Sequence, residues 1–280
     1  MIENFFKSNY FMSEEWISFV NSVTKKITFV DAGGKKYPVL GNSKVLAWHP
    51  YTEPEINHLN KMGITVFFIN DNFEDTNTNY RIVSNKTYDK ISKDYHEGFK
   101  KNVRRSTRFN LNFVEGCNLD DMLRLNQMHM KDLGSTPYPR KFLDLLSNLP
   151  SNRIFSVEYQ NKVVSFGLGF EDSNNFYFSL ANSDKNFYDM RIVYFLYDKI
   201  LKYCSEKGLN VHLGMGLKGQ GSEIFKDRLG ALRFGCYIKP ELGTQVKILK
   251  LLNKVHITWL KSIYANLMFK NFFGNLIPFF

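Results

Sequence analysis

The hydrophobic and polar positions of the N-terminal part predict short elements in mixed order. Ser13 precedes an apolar pattern that runs to about Val23, and a serine at this position caps a helix by accepting hydrogen bonds from its first turn. The strand-like stretches 26–31 and 36–40 are separated by Gly33-Gly34, a dipeptide typical of a tight hairpin turn. We therefore predict a helix followed by a two-stranded hairpin.

A second helix and strand are predicted before residue 70. Thr52 and Glu55 have the spacing of a capping box, which opens a helix that ends at Gly63. Residues 64–69 follow and are apolar except for Thr65, as expected of a buried strand. The polar residues 71–80, rich in Asn and Thr, predict a loop.

Residues 88–108 are predicted as one long basic helix, and the pattern after it gives a regular order of elements. A strand at 109–115 precedes two helices, three strands with polar turns between them, and a long helix that ends at Gly208. A strand at 211–213, a short helix and a strand at 232–238 complete the series. The three consecutive strands predict an antiparallel meander within a larger sheet.

Length and composition limit the class of protein. The chain has 280 residues, of which 44% are hydrophobic, enough for one large core or two modest ones. Its three cysteines are far apart and odd in number, so neither a disulfide framework nor a Cys-x-x-Cys metal site is expected. No apolar run approaches the ~20 residues that cross a bilayer, and the first ten residues do not resemble an export signal. We expect a cytoplasmic protein of two compact units.

The positive charge is unevenly distributed. The formal net charge is +10, and residues 246–280 contribute five lysines and no acidic residues. Apolar side chains recur there at helical spacing, and phenylalanines end the chain. Residues 245–280 are therefore predicted as a basic amphipathic helix. Such a helix either lies in a membrane interface, giving peripheral membrane contact, or packs on the protein or on a second copy.

A glycine-rich segment around Lys226 is the strongest candidate for chemistry. Glycine permits backbone conformations and close approaches that a Cβ would forbid. A lysine in such a loop can neutralise a phosphate or a developing oxyanion, although in isolation it would be an ordinary surface lysine. His129 and His212 are expected to be structural. The glycines are Gly214, Gly216, Gly219, Gly221 and Gly230.

Element order and two sequence motifs together resemble one branch of the GNAT acyltransferase superfamily, the FemAB-like and CelD-like proteins. The resemblance covers residues 88–239, and its most specific element is Phe-Lys-x-x-x-Gly after a strand and a glycine turn. Where those relatives carry Asp-hydrophobic-Gly, this chain reads His212-Leu213-Gly214, so the acidic position is missing. The matching segments are Lys100 to Arg108, Lys207-Gly208, Leu213 to Gly216, Phe225-Lys226 and Leu229-Gly230.

The resemblance implies an α/β fold, a GNAT-like mixed sheet flanked by helices. It implies a smaller, degenerate GNAT-like domain at 1–87, a basic connecting helix at 88–108, a catalytic domain at 109–244 and the amphipathic helix at 245–280. It also implies N-acyl or aminoacyl transfer without a metal or a covalent enzyme intermediate. The donor would be acyl-CoA, such as acetyl-CoA, or aminoacyl-tRNA. The acceptor would be an amino sugar or peptide of a cell-envelope polysaccharide or peptidoglycan precursor, nucleotide- or lipid-linked.

Candidate site residues follow from that expectation. Lys226 would neutralise the oxyanion or a phosphate, and Tyr177, Glu158 and Asp227 are further catalytic candidates, the two acids as proton acceptors. The junction 181–191 lacks the glycines whose backbone N–H groups hold a pyrophosphate in GNAT enzymes. Side chains would have to bind the phosphate in their place. The donor-binding set is Arg191, Lys185, Asn182, Gly219 and Gly221. The substrate-binding set is Arg104, Arg105, Arg108, Ser179, Gly214 and Gly216.

Two alternatives remain open at this stage. The basic helix and the abundant aromatic residues also fit a nucleic-acid-binding module, although acidic residues occur throughout the body of the chain. A GNAT fold without activity is the other alternative.

Overall fold

The computed structural model describes residues 2–6, 8–24, 27–32, 34–40, 44–45, 50–71 and 78–239. The predicted amphipathic helix at 245–280 lies outside the described residues. Within the described ranges, no helix combines the length and the apolar character needed to cross a membrane.

The N-terminal helices and strands that the sequence predicts are formed, and a short strand that it does not predict, Lys44–Val45, is added. Ser13 Oγ accepts a hydrogen bond from Trp16 N at 3.2 Å at the start of the first helix. Thr52 and Glu55 form a complete capping box on the second. The two strands on either side of Gly33-Gly34 pair antiparallel. These elements are α1 (Glu14–Thr24), β1 (Ile27–Ala32), β2 (Lys35–Leu40), β3 (Lys44–Val45), α2 (Glu53–Lys61) and β4 (Val66–Asn70).

The second half has the predicted order, strand, two helices, three strands, helix, strand, helix and strand. A 3-10 helix, Lys185–Met190, is added between the third strand of the meander and the long helix. The elements are β6 (Asn112–Glu115), α5 (Leu119–Asp132), α6 (Arg140–Ser147), β7 (Asn152–Tyr159), β8 (Lys162–Glu171), β9 (Asn175–Ser183), α7 (Ile192–Glu206), β10 (Asn210–Leu217), α8 (Gly221–Arg228) and β11 (Leu232–Lys239).

The prediction of one basic helix over 88–108 is wrong. The chain forms α3 (Tyr88–Asp94) and α4 (Glu97–Ser106), with a break at Tyr95 and His96. His96 Nδ1 accepts a hydrogen bond from Gly98 N at 3.0 Å, and His96 N donates to Arg228 O at 2.9 Å. His96 therefore caps α4 and also ties it to the end of α8, an interaction that the local sequence does not show.

A strand that the sequence did not predict completes the main sheet. The polar stretch 71–80 was predicted as a loop, but β5 (Thr78–Val83) begins within it. The sheet has eight strands in the order β4-β11-β5-β10-β9-β8-β7-β6, and the β7-β8-β9 meander is antiparallel as predicted. Two strands from the first 87 residues thus lie in the same sheet as the strands of the GNAT-like segment.

Helices cover both faces of the sheet. Successive strand residues point to opposite faces, so Phe176 and Tyr177 of β9 belong to different hydrophobic clusters. The cluster with Tyr177 includes residues of α1, α5 and α6, and the cluster with Phe176 includes residues of α3, α4 and α7. Phe225 of α8 packs against the second cluster, which places α8 beside α7.

His212 is a buried structural residue of β10. It is 1% exposed, its Nδ1 lies 3.2 Å from Tyr80 Oη, and its Nε2 lies 3.2 Å from the side-chain amide of Asn175. Its ring centroid is 4.4 Å from that of Tyr177. Burial lowers the pKa of His212 to about 3, because the imidazolium form would lose its hydration.

This burial predicts acid sensitivity. The unfolded chain binds a proton at His212 near pH 6.5, whereas the folded chain does so only near pH 3, so stability present above pH 6.5 is lost as the pH falls towards 3. We expect about 2 kcal/mol of loss from this residue at pH 5. Urea unfolding of the wild type and of His212→Gln between pH 7.5 and 5 measures it. A constant difference in unfolding free energy between the two proteins would contradict the prediction.

Candidate functional site

The strands β9 and β10 separate to form a cleft. They run parallel and pair only at Asn175 with Asn210, Phe176 with Val211 and Tyr177 with His212. Beyond these pairs β9 remains paired with β8 as far as Ser183, and β10 remains paired with β5 as far as Leu217. Residues 178–183 and 213–217 are therefore the two walls of an opening in the sheet, which we call the cleft.

Each wall of the cleft contains a β-bulge. On β10 the pairing with β5 shifts between His212 and Gly214, and Gly214 has φ +70°, a conformation that favours glycine. On β9 the pairing with β8 leaves Ser179 without an opposite residue. The Ser179 Oγ is buried and has no hydrogen-bond partner among the described residues. Bulges re-aim strands and side chains and are common beside active sites.

Helix α8 is held against the β10 wall by one close approach and one aromatic anchor. A Cβ on Gly216 would lie 3.3 Å from Glu223 Cα, so the absence of a side chain lets the helix pack on the strand. The ring of Phe225 lies 4.8 Å from that of Tyr197 on α7 and 5.7 Å from that of Phe99 on α4. The two residues of the Phe225-Lys226 pair therefore have different roles. Phe225 anchors α8 to the neighbouring helices, and Lys226 reaches β10.

The ammonium group of Lys226 lies at the β10 wall of the cleft. Its Nζ donates a hydrogen bond to Met215 O at 2.6 Å. Part of the residue remains at the surface, but protein atoms enclose the ammonium group. This burial, with a smaller contribution from the positive charge of Arg81, lowers the pKa of Lys226 to about 8. Lys226 is therefore a cation that loses its charge at physiological to mildly basic pH.

Two arginines and two carboxylates form a network next to Lys226, which we call the arginine–carboxylate cluster. Arg81 of β5 is fully buried, and its Nη2 lies 2.9 Å from both Glu223 Oε1 and Asp227 Oδ1. Arg233 Nη2 lies 2.7 Å from Asp227 Oδ2. Glu223 Oε2 also accepts a hydrogen bond from Gly219 N at 2.6 Å.

The cluster leaves Lys226 without a carboxylate partner among the described residues. Both acidic side chains of α8 that flank it, Glu223 and Asp227, are engaged by arginines. The same network fixes the start of α8 through Gly219 and joins the helix to β5. It therefore holds Lys226 in place and keeps its charge uncompensated.

The other predicted catalytic residues are distributed over the molecule. Asp227 is beside Lys226 but paired with both arginines of the cluster. Tyr177 is 1% exposed and its hydroxyl donates to Ser8 O at 3.0 Å, within the aromatic packing on the opposite face. Glu158 is on β7, three strands from β10, a separation of roughly 14 Å at the usual strand spacing. The structure brings only Asp227 and Lys226 together.

Among the predicted donor-binding residues, Arg191 has unused hydrogen-bonding capacity. Asn182 Oδ1 accepts from Asn126 Nδ2 at 3.1 Å, Lys185 Nζ donates to Asp132 Oδ1 at 2.6 Å, and Gly219 N is bound by Glu223. Arg191 precedes α7 with φ +61°, a strained conformation for a residue with a side chain, and its buried Nε has no partner among the described residues. Gly221 is the first residue of α8.

The predicted substrate-binding residues fall into two groups. Ser179, Gly214 and Gly216 lie on the walls of the cleft. The basic side chains Arg104, Arg105 and Arg108 are exposed at the end of α4 and just beyond it, ahead of β6. In the described part of the chain, no group of His, Cys, Asp or Glu side chains is arranged to hold a metal ion.

Sequence reasoning missed Arg81, Glu223 and Arg233. A signal for Arg81 was available, because a charged residue interrupts the apolar end of β5, Tyr80 to Val83, and a charge buried in a sheet needs a partner. Glu223 and Asp227 are one helical turn apart and therefore share a face of α8. The pairing of both acids with Arg81 could not be identified from the sequence, because Arg81 lies more than 140 residues away from them.

Comparison with solved structures identifies the fold. The structure of FemX matches with a TM-score of 0.63 at 10% sequence identity, covering 85% of this chain and 93% of that chain. The C-terminal domain (DUF2156) of a putative lysylphosphatidylglycerol synthetase from Agrobacterium fabrum has a TM-score of 0.56 at 12% identity, covering 81% of this chain and 86% of its own. L-PGS from Bacillus licheniformis has a TM-score of 0.55 at 12% identity, covering 86% and 97%.

Comparison of the sequence alone identifies no relative of this chain. No family model matches the chain, and comparison with curated proteins gives no match. The structural matches nevertheless extend over most of the chain, and they confirm the prediction of a FemAB-like GNAT fold with a mixed sheet flanked by helices.

Proposed function

We propose that this protein transfers an acyl or aminoacyl group from a thioester or ester donor to an amino group. The observation that carries the proposal is the cleft between β9 and β10, with the enclosed ammonium group of Lys226 on its β10 wall. Strand edges that do not pair with each other can bind an extended, amide-containing ligand as if it were an additional strand. A cation at the end of such a site can stabilise a carbonyl oxygen on which negative charge develops.

The chemistry requires few groups from the protein. The neutral amine attacks the carbonyl carbon of the donor, a C–N bond forms, and the carbonyl oxygen becomes an oxyanion near Lys226. The bond to sulfur or oxygen then breaks, and the proton lost by the amine passes to the leaving group or to solvent. Asp227 is an unsuitable proton acceptor in this scheme, because Arg81 and Arg233 already bind both of its oxygens.

Two donors are considered for the proposed reaction, acyl-CoA and aminoacyl-tRNA. The start of α7 offers no glycine cradle for a pyrophosphate, and Asn182 and Lys185 are engaged by other side chains. Arg191 is then the side chain on this junction that we assign to the donor. An aminoacyl donor is supported by one of the structures similar to this chain, the C-terminal domain of a putative lysylphosphatidylglycerol synthetase.

We propose an amino sugar or peptide of a cell-envelope precursor as the acceptor. The decisive experiment incubates the full chain with acetyl-CoA, longer acyl-CoAs or aminoacyl-tRNA, each with UDP-linked amino sugars or precursor peptides, and detects the new amide by mass spectrometry. Ligands that bind the native state also raise its melting temperature. An amide formed by the wild type but not by Lys226→Met supports the proposal. Equal product from both proteins, or none with any pair, contradicts it.

A further inference from the structure

A groove lies at the opposite end of the sheet from β11, and the proposed reaction does not use it. One wall is formed by α7, with the buried Phe195 at its base and Lys199 and Lys202 nearer the surface. The other wall is the connection from α4 into β6, with Phe109 and Phe113. The groove has a volume of about 620 Å³, within the range of roughly 300–1,000 Å³ that is usual for sites of small ligands.

The floor of the groove is aromatic and rigidly held. The ring of Phe113 stacks on that of Phe155, with centroids 5.3 Å apart and an angle of 12° between the planes. Phe155 is fully buried in the core. Phe113 is only partly buried, so its ring combines a fixed orientation with access from the groove. Such a ring can stack against a flat heterocycle.

The rim of the groove is basic. Lys199 Nζ lies over the ring of Phe195 at 5.2 Å, and Lys202 Nζ lies over the ring of Tyr88 at 5.9 Å. The acidic residue on the lining, Glu206, is 3.9 Å from Lys202, at the limit of an ion pair. The exposed arginines 104, 105 and 108 lie on the chain segment that leads into the groove. Positive charge on the α7 wall, and on the segment that leads to the other wall, favours an anionic ligand.

We propose that this groove binds a nucleoside phosphate, with the base against Phe113 and the phosphate between Lys199 and Lys202. An aromatic floor with lysines at its rim matches a ligand that carries a flat ring at one end and negative charge at the other. Two sources supply this chemistry, a free nucleotide and the single-stranded end of an RNA. The groove lies along β6, three strands from β9, the nearer wall of the cleft, or roughly 14 Å away at the usual strand spacing. The proposal does not rest on the proposed transferase activity.

The test is direct binding to the full chain, measured by isothermal titration calorimetry with UMP, UDP, AMP, uridine, pyrophosphate and a four-nucleotide RNA. We expect the nucleotides to bind more tightly than uridine or pyrophosphate. Lys199→Ala/Lys202→Ala is expected to weaken nucleotide binding by about tenfold, because two phosphate contacts are lost. The matched control is Lys131→Ala/Lys141→Ala, which removes two exposed lysines from α5 and α6 on the other face of the sheet and should leave binding unchanged.

A third variant separates stacking from charge. Phe113→Leu keeps the apolar volume but removes the aromatic face, so it should weaken the binding of UMP and leave that of pyrophosphate unchanged. If the RNA binds at least about tenfold more tightly than UMP, the natural ligand is an RNA end. If the two bind equally tightly, the natural ligand is a free nucleotide. The proposal is overturned if no nucleotide binds at millimolar concentration, if pyrophosphate binds as well as UDP, or if the control pair loses as much affinity as the groove pair.

Discussion

Replacement of Lys226 by methionine is expected to lower the rate of acyl transfer by about a hundredfold or more while the protein remains folded. Loss of one group that stabilises a developing oxyanion typically costs two to three orders of magnitude in turnover. Methionine preserves the length of the buried stem, and the substitution removes the hydrogen bond from Nζ to Met215 O. Turnover is measured with the donor and acceptor pair found active for the wild type.

Lys218→Met is the matched control for this substitution. Lys218 is an exposed lysine in the loop between β10 and α8, ahead of the helix that carries Lys226. It should retain wild-type turnover, since a substitution there removes the same charge without touching the cleft. If both variants lose activity equally, the effect is one of general charge and Lys226 has no special role.

The pH dependence of the reaction gives an independent readout of Lys226. Because the pKa of Lys226 is lowered to about 8, its positive charge is present below this pH and is lost as the pH rises through it. The rate should therefore decline above about pH 8 in the wild type. Lys226→Arg should keep a lower but measurable rate whose decline moves to higher pH, because arginine stays protonated. The titration of the acceptor amine is common to both proteins, so identical pH profiles of the wild type and Lys226→Arg would contradict a role for the charge of Lys226.

Substitution of Arg81 is expected to have the largest effect on stability. Arg81→Met removes the close partner of Glu223, whose side chain is only 5% exposed, and leaves it with Arg233 at 3.9 Å. Breaking a buried pair in this way costs about 3–5 kcal/mol. The double variant Arg81→Met/Glu223→Gln removes both charges and should recover much of this loss. Urea unfolding followed by circular dichroism measures the free energies.

The control for Arg81 is Arg233→Met, at the exposed side of the cluster. The side chain of Arg233 is 34% exposed and that of its partner Asp227 is 37% exposed, so solvent can replace much of the interaction. We expect a loss smaller than that of Arg81→Met. The cluster would be of little energetic importance if Arg81→Met and Arg233→Met unfolded at the same urea concentration.

Local signals in the sequence predicted most of the helices and strands. Capping residues such as Ser13 and Thr52 act within one turn of the chain, and both caps form. The turn at Gln160-Asn161 also forms as predicted, with positive φ at both residues. His96 and β5 were missed because their partners are distant. His96 N donates to Arg228 O. The polar start of β5 resembles a loop in the sequence, and the strand forms between β10 and β11, which come more than 125 residues later in the chain.

The site was predicted less completely than the fold. The glycine pattern and the Phe225-Lys226 pair pointed to the segment that forms the β10 wall of the cleft, because a close approach and a helix anchor depend on neighbouring residues. The separation of β9 from β10 depends on pairing with β8 and β5, and the engagement of Asp227, Asn182 and Lys185 depends on side chains from other elements. These properties arise only when the whole sheet has assembled.

The insertion of β5 between β10 and β11 has a consequence for synthesis of the protein. When residues 1–150 of the nascent chain have left the ribosome, β4 and β5 are already exposed. Neither strand has its hydrogen-bonding partners until residues 210–239 follow. The nascent chain must therefore keep apolar strands such as Val66–Asn70 unpaired through most of translation. Long-range pairing of this kind slows folding, and unpaired strands in a waiting chain aggregate easily. Production of this protein is consequently expected to depend on growth temperature and on chaperones that shield nascent chains.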